Sequence, residues 1–185
     1  MGMLAVILIF ICICVDNMVC ANMSAMKLEA GSKNIFSIKM ALFFAGFNAL
    51  FFGLGYLISI IFFRDWVYFA HNWVAFAFLL LLGIKFMLES IEKSPSFTNL
   101  ETDDTRKLIK VSSLMGLNSF LVGYAVETMD TSFFPQVAFL LIITFCLTLL
   151  GFHLGNKNSK TVASKKVELI AGILLVIMGV RLIIV

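Results

Sequence analysis

Residues 3–25 read MLAVILIFICICVDNMVCANMSA, an apolar run broken near its middle by one acidic side chain, Asp16. Crossing the hydrocarbon of a bilayer takes about 20 apolar residues in a helix. Asp16 would lie roughly 20 Å along such a helix, near mid-depth, at 1.5 Å per residue. A carboxylate there costs about 2.5–3.5 kcal/mol on insertion scales, so it must face a bundle interior and have a partner. A single span cannot supply that interior.

The rest of the chain supplies it. Further apolar stretches run at approximately 35–62, 67–89, 108–129, 133–155 and 167–185. None alternates as a barrel strand does, and backbone groups cannot stay unpaired in hydrocarbon, so all six read as helices. Of the 185 residues, 61% are hydrophobic and 14% charged. A soluble domain is about half apolar and a quarter charged, so a soluble enzyme, a disordered chain and a secreted disulfide scaffold are excluded. The expected fold is an all-α polytopic membrane protein with six transmembrane helices. Ser132 can cap a fifth helix whose first turn holds Pro135. Gly31-Ser32, Gly155-Asn156 and the stretch KSPSFTNLETDDTRK at 93–107 are polar connectors. The last divides the chain into 1–92 and 108–185. No basic residue precedes Met3, which argues against a secretory signal peptide.

Cations place the two faces. Lys27, Lys33, Lys39, Lys85, Lys93, Arg106, Lys107, Lys110, Lys157, Lys160, Lys165 and Lys166 flank the loops after helices 1, 3 and 5. Only Arg64 and Arg181 lie on the other side. By the positive-inside rule the odd-numbered loops are expected in the cytoplasm and both termini outside.

The halves resemble each other. Val15-Asp16-Asn17-Met18 with Ala21 parallels Leu117-Asn118-Ser119-Phe120 with Gly123, and Gly83-Ile84-Lys85 parallels Gly179-Val180-Arg181. A unit of three spans must invert when repeated, which predicts two inverted three-helix repeats with a site at their interface.

Asp16 reads as a cation ligand or proton carrier; the plainer alternative is a structural Asp bonded to nearby amides. Asn118 is its counterpart in the second half. The two would approach at mid-depth and offer hard oxygen ligands suited to Mn²⁺, Mg²⁺ or Ca²⁺. The alternative for Asn118 is a packing amide that donates to Asp16. Asn48 is a third candidate ligand. Asn17 and Ser119 adjoin the pair, while Asn72 and Glu168 occupy matching places near opposite membrane faces; Glu168, after Lys165-Lys166, reads first as a surface ion pair or helix-start charge, with gating of the pathway ends as the functional alternative. Lys85 and Glu89, four residues apart, read as an ion pair at the cytoplasmic end.

The cysteines read mainly as small packing residues. Cys12, Asp16 and Cys20 share a helix face, where thiolates would shift preference toward zinc or cadmium. His153 could titrate, and Gly151 and Gly155 favour close helix contact. Without a nucleophile–base set, phosphate loop or HExxH motif, an enzyme is not expected. Nor is a permanently bound cofactor or a nucleic-acid partner.

His71-Asn72-Trp73-Val74-Ala75-Phe76, running through Leu82-Gly83 to Glu89, resembles the third helix of the MntP family of manganese efflux pumps. Lys165-Lys166-x-Glu168-x-x-x-Gly172, running to Gly179, resembles its sixth. Asp16 with Ala21, Leu117 to Gly123, and Thr148-x-x-Gly151-x-x-x-Gly155 are similar to its first, fourth and fifth. The resemblance implies a six-helix bacterial inner-membrane exporter of the LysE-type superfamily, with Mn²⁺ as transported substrate and Asp16 as principal ligand. The family usually has a second Asp where this chain has Asn118. It typically has Glu or Gln and then Pro where this chain has Asn48 and Phe52. One missing charge leaves Cd²⁺, Zn²⁺ or a small organic cation as alternative cargo, and a non-transporting partner of the same fold as another class.

Overall fold

A computed structural model describes residues 3–27, 33–63, 68–91, 105–127, 132–157 and 162–184. Six helices fill them: α1 (Met3–Lys27), α2 (Lys33–Phe63), α3 (Tyr68–Ile91), α4 (Thr105–Glu127), α5 (Phe133–Lys157) and α6 (Val162–Ile184). Among the described residues there is no strand. Five helices are long and apolar enough to cross a membrane. The 23-residue α6 carries Lys166 and Glu168 near one end and Arg181 near the other, with an uncharged stretch between them. The chain is a multi-pass membrane protein.

Each helix matches an expected apolar stretch, with differences at the ends. The helix α4 begins at Thr105 rather than 108, so the last three residues of the expected 93–107 linker are helical. Apolar length marks the hydrocarbon thickness and cannot show how far a helix runs into the polar layer. There Lys39 donates to the Thr105 hydroxyl at 3.0 Å.

Every main helix pair joins the first three helices to the last three. The helix α2 packs chiefly on α4, α1 on α5, and α3 on α6. The lipid supplies no hydrophobic drive between helices, so close approach depends on small residues. Gly151 and Gly155 of α5 lie against the backbone carbonyls of Met18 and Asn22, which sets α1 and α5 parallel. Gly55 and Gly123 bring α2 against α4 in the same way. Gly83 meets Gly172, while Gly179 meets Leu79 and Phe76, so α3 and α6 run antiparallel. These directions fit a chain that reverses at each connection.

Burial singles out two inner helices. The spanning window of α1 is 72% buried and that of α4 56%, against 28–33% for α2, α3 and α5. Leu42, Ile61, Leu88 and Ile142 point outward, as a lipid-facing surface requires. Inside, one apolar cluster gathers Ile9, Phe10, Leu79, Phe86, Val122, Leu140 and Leu175. A second gathers Cys20, Ala21, Met40, Phe44, Leu108 and Met115. Asn118 lies on α4 between Met115 of one cluster and Val122 of the other. Asp16 lies one turn before Cys20, where α1 passes into the second cluster.

Candidate functional site

The two inner helices bring Asp16 and Asn118 together, 102 residues apart in sequence. The Asn118 Nδ2 donates to Asp16 Oδ2 at 2.9 Å. Each residue is 5% exposed. A third helix completes the group. Lys85 of α3 donates from Nζ to Asn118 Oδ1 at 3.0 Å, and the same ammonium lies 3.7 Å from Asp16 Oδ2. The amide orientation follows from charge: reversed, it would set its NH₂ against the ammonium and its oxygen against the carboxylate.

Lys85 also lies 3.5 Å from Glu89 Oε1. The local ion pair expected from the sequence is therefore present, but it is the outer half of a larger array. Asp16, Asn118, Lys85 and Glu89 form a chain of contacts running outward from the buried pair across three helices. Lys85 is also one of the cations expected to mark the cytoplasmic side, which its contacts leave unchanged. Its long stem carries the charge back toward the bundle interior, with its side chain 36% exposed.

The array's electrostatics limit what can share it. Unit charges about 4 Å apart interact by roughly 4 kcal/mol at an effective dielectric of 20, and a divalent ion doubles that. A divalent cation placed against Asp16 would therefore be opposed by the ammonium in the arrangement seen.

The other expected site residues differ in burial and partners. Asn48 on α2 is 1% exposed, and its Oδ1 has no hydrogen-bond partner among the described residues. Asn17 is likewise buried with an unpartnered Oδ1, close in sequence to Cys14, whose thiol lies 3.1 Å from the Thr144 hydroxyl. Ser119 and Glu168 are buried and Asn72 is half-buried. Cys12 and Cys20 are buried near Asp16 in sequence. Among the described residues, however, no three His, Cys, Asp or Glu side chains gather as a metal-holding group. His153 is exposed, and Glu127 accepts from Ser59 at 3.1 Å. Asp130 lies outside the described residues.

Sequence reasoning missed the inward reach of Lys85. A signal was available: Lys85 sits six residues before the end of α3, roughly 9 Å inside it at helical rise, a depth at which an ammonium needs partners. It also missed Asn22, buried on α1 with an unpartnered Oδ1.

Comparison with known proteins adds a family. Residues 31–183 match the family model Mntp, described as "Putative manganese efflux pump". The match begins after α1, so the case for Asp16 rests on geometry. Curated relatives carry the same name, "Putative manganese efflux pump MntP". The protein of Crocosphaera subtropica is 28% identical over 148 residues, covering 80% of this chain and 78% of its own. That of Campylobacter jejuni is 28% identical over 165 residues, covering 89% and 85%. That of Acetivibrio thermocellus is 26% identical over 164 residues, covering 89% and 80%. No solved structure matches. With most of its length matched and its helices long and apolar, the chain belongs to the Mntp family.

Proposed function

We propose that this protein is a secondary transporter that exports divalent cations, Mn²⁺ foremost, from the cytoplasm across a bacterial inner membrane. The observation that carries the reading is the Asp16 carboxyl group between the two inner helices, with the Lys85 ammonium against it. The names of the relatives support this cargo and this direction. Asp16 and the amide oxygens of Asn118 and Asn48 are the proposed ligands, all hard oxygens of the kind Mn²⁺ accepts. The unpartnered Asn48 oxygen supports its place in that set, because a buried acceptor without a donor calls for an explanation. Asn17 and Ser119 support the ligands, while Asn72 and Glu168 serve the pathway ends.

Two inverted repeats, 1–92 and 108–185, joined by 93–107, account for the packing. Exchanging α1 with α4, α2 with α5 and α3 with α6 turns the α1–α5 pair into α4–α2 and leaves α3–α6 unchanged, and these are the main pairs. Alternating access then moves one three-helix unit against the other around Asp16. Both termini face outside in this reading, and the basic odd-numbered loops face the cytoplasm.

The test uses a manganese-sensitive, exporter-deficient bacterium. Expression of the wild type should lower cellular manganese and restore growth, and Asp16→Asn at matched expression should do neither. Equal manganese content with both would overturn the proposal.

One observation favours a second reading. The array seats a primary ammonium on a site with a single buried carboxylate, a match for a small organic cation. Challenge of the same cells with organic amines separates the cargoes: protection against amines but not manganese selects the second.

A further inference from the structure

An ammonium that belongs to the protein lies against the Asp16–Asn118 pair. Lys85 sits where a cation shared by Asp16 and Asn118 would sit, 3.0 Å from the amide oxygen and 3.7 Å from the carboxylate oxygen. Its second carboxylate, Glu89, stands one turn further along α3, 3.5 Å away. An ammonium on a four-carbon stem can pass between two such acceptors by rotating side-chain torsions, with no backbone movement.

We infer that Lys85 is a tethered cation that occupies the Asp16–Asn118 site when cargo is absent and is displaced onto Glu89 when a divalent ion enters. The inference rests on the divalent-cation reading and adds to it a residue that sets affinity and links occupancy to shape. In the unloaded state Lys85 ties α3 to α1 and α4. Arriving cargo takes over the carboxylate, repels the ammonium, and releases α3 from both. The helix α3 packs chiefly on α6, so its release frees an α3–α6 pair from the inner helices. Lys85 also keeps the empty site close to neutral, so a buried carboxylate need not stand alone while the carrier resets.

Tethering makes a prediction about sign. A lysine that only braces the fold would weaken metal binding whichever way it is changed. A competing cation would not. Lys85→Gln keeps much of the length and removes the charge, so Mn²⁺ should bind about tenfold or more tighter, since a like charge no longer opposes it. Lys85→Arg keeps the charge and adds a planar fork suited to carboxylate and amide together, so Mn²⁺ should bind more weakly than to wild type. Glu89→Gln removes the second seat and should also weaken binding.

The measurement is Mn²⁺ binding to purified full-length protein in detergent, from loss of the free-ion electron paramagnetic resonance signal during MnCl₂ titration. Asp16→Asn serves as the control for binding at this site. Tighter binding by Lys85→Gln with weaker binding by Lys85→Arg supports the tether. Asp16-dependent binding that is unchanged or weakened in Lys85→Gln overturns it and leaves the transporter reading standing. Should Lys85→Gln not purify, Lys85→Arg decides: binding equal to or tighter than wild type overturns the tether. Absence of Asp16-dependent binding in every variant, with no manganese export in cells, overturns the transporter reading and the tether with it.

Discussion

The helices α3 and α6 carry the same short motif, Gly83-Ile84-Lys85 and Gly179-Val180-Arg181. Both glycines lie in the seam between these two helices. Two residues on, the likeness ends. Lys85 reaches Asn118 and Asp16, while Arg181 is exposed. Similar sequence and a shared seam therefore do not fix an equal role. What differs is the chemistry available: Asp16 is an acid and its counterpart Asn118 is an amide, so the pair offers one acidic group, and Lys85 lies against it.

Removing that charge should have the largest effect. Asp16→Ala leaves the Asn118 Nδ2 without its acceptor and the ammonium with only the Asn118 oxygen and Glu89. Breaking a buried pair costs up to about 3–5 kcal/mol, and partial exposure of Lys85 sets the expectation near the lower figure. Thermal unfolding in detergent measures it, and a loss below about 1 kcal/mol would show that water already screens the array.

The seam itself comes next. A Cβ on Gly83 would lie 2.9 Å from the Gly172 carbonyl oxygen, so Gly83→Ala must push backbone aside, at about 1–3 kcal/mol. At Gly179 the nearest atoms are side-chain carbons of Leu79 and Phe76 at 3.2 and 3.3 Å. Those can yield, so Gly179→Ala should cost less than about 1 kcal/mol in the same assay. The reverse ranking would break the comparison of the two motifs.

Asn118→Asp sharpens it. A second carboxylate raises the ligand charge, and Mn²⁺ affinity should rise about tenfold, roughly 1.4 kcal/mol, read by the same titration. If export appears only in this variant, the native chain is a non-transporting relative. Arg181→Gln should do least, with stability within about 0.5 kcal/mol of wild type and metal affinity unchanged. A clear change in either would show that the second motif has a partner of its own.

The helices were legible because the requirement for each is local. A stretch such as 133–155 declares a span by length and hydropathy alone, and α5 follows it over Phe133–Lys157. Asp16 and Asn118 were legible for a different reason: a mid-depth carboxylate needs a partner, and likeness between the halves pointed to one. Lys85 was not. Glu89, one turn away, offered it a sufficient partner within the sequence, and only packing of α3 on α4 puts the pair within reach of the ammonium. The i to i+4 rule describes a helix surface and cannot tell an outward ion pair from the rim of an interior one. Asn48 and Asn17 could be named as buried amides, but their unpartnered oxygens depend on neighbours that spacing does not reveal.

The wrapping of α1 has a consequence for how the protein is made. Most of its contacts come from α5 and α6, with α4 supplying the partner of Asp16, and few come from α2. Asn118 leaves the ribosome 102 residues after Asp16, about 5–20 seconds later at ordinary elongation rates. Throughout that interval the nascent chain must keep an acidic group beside the insertion machinery or against lipid. A translation product that stopped short of α3 would lack both Lys85 and Asn118, the two side chains that meet this carboxyl in the finished bundle.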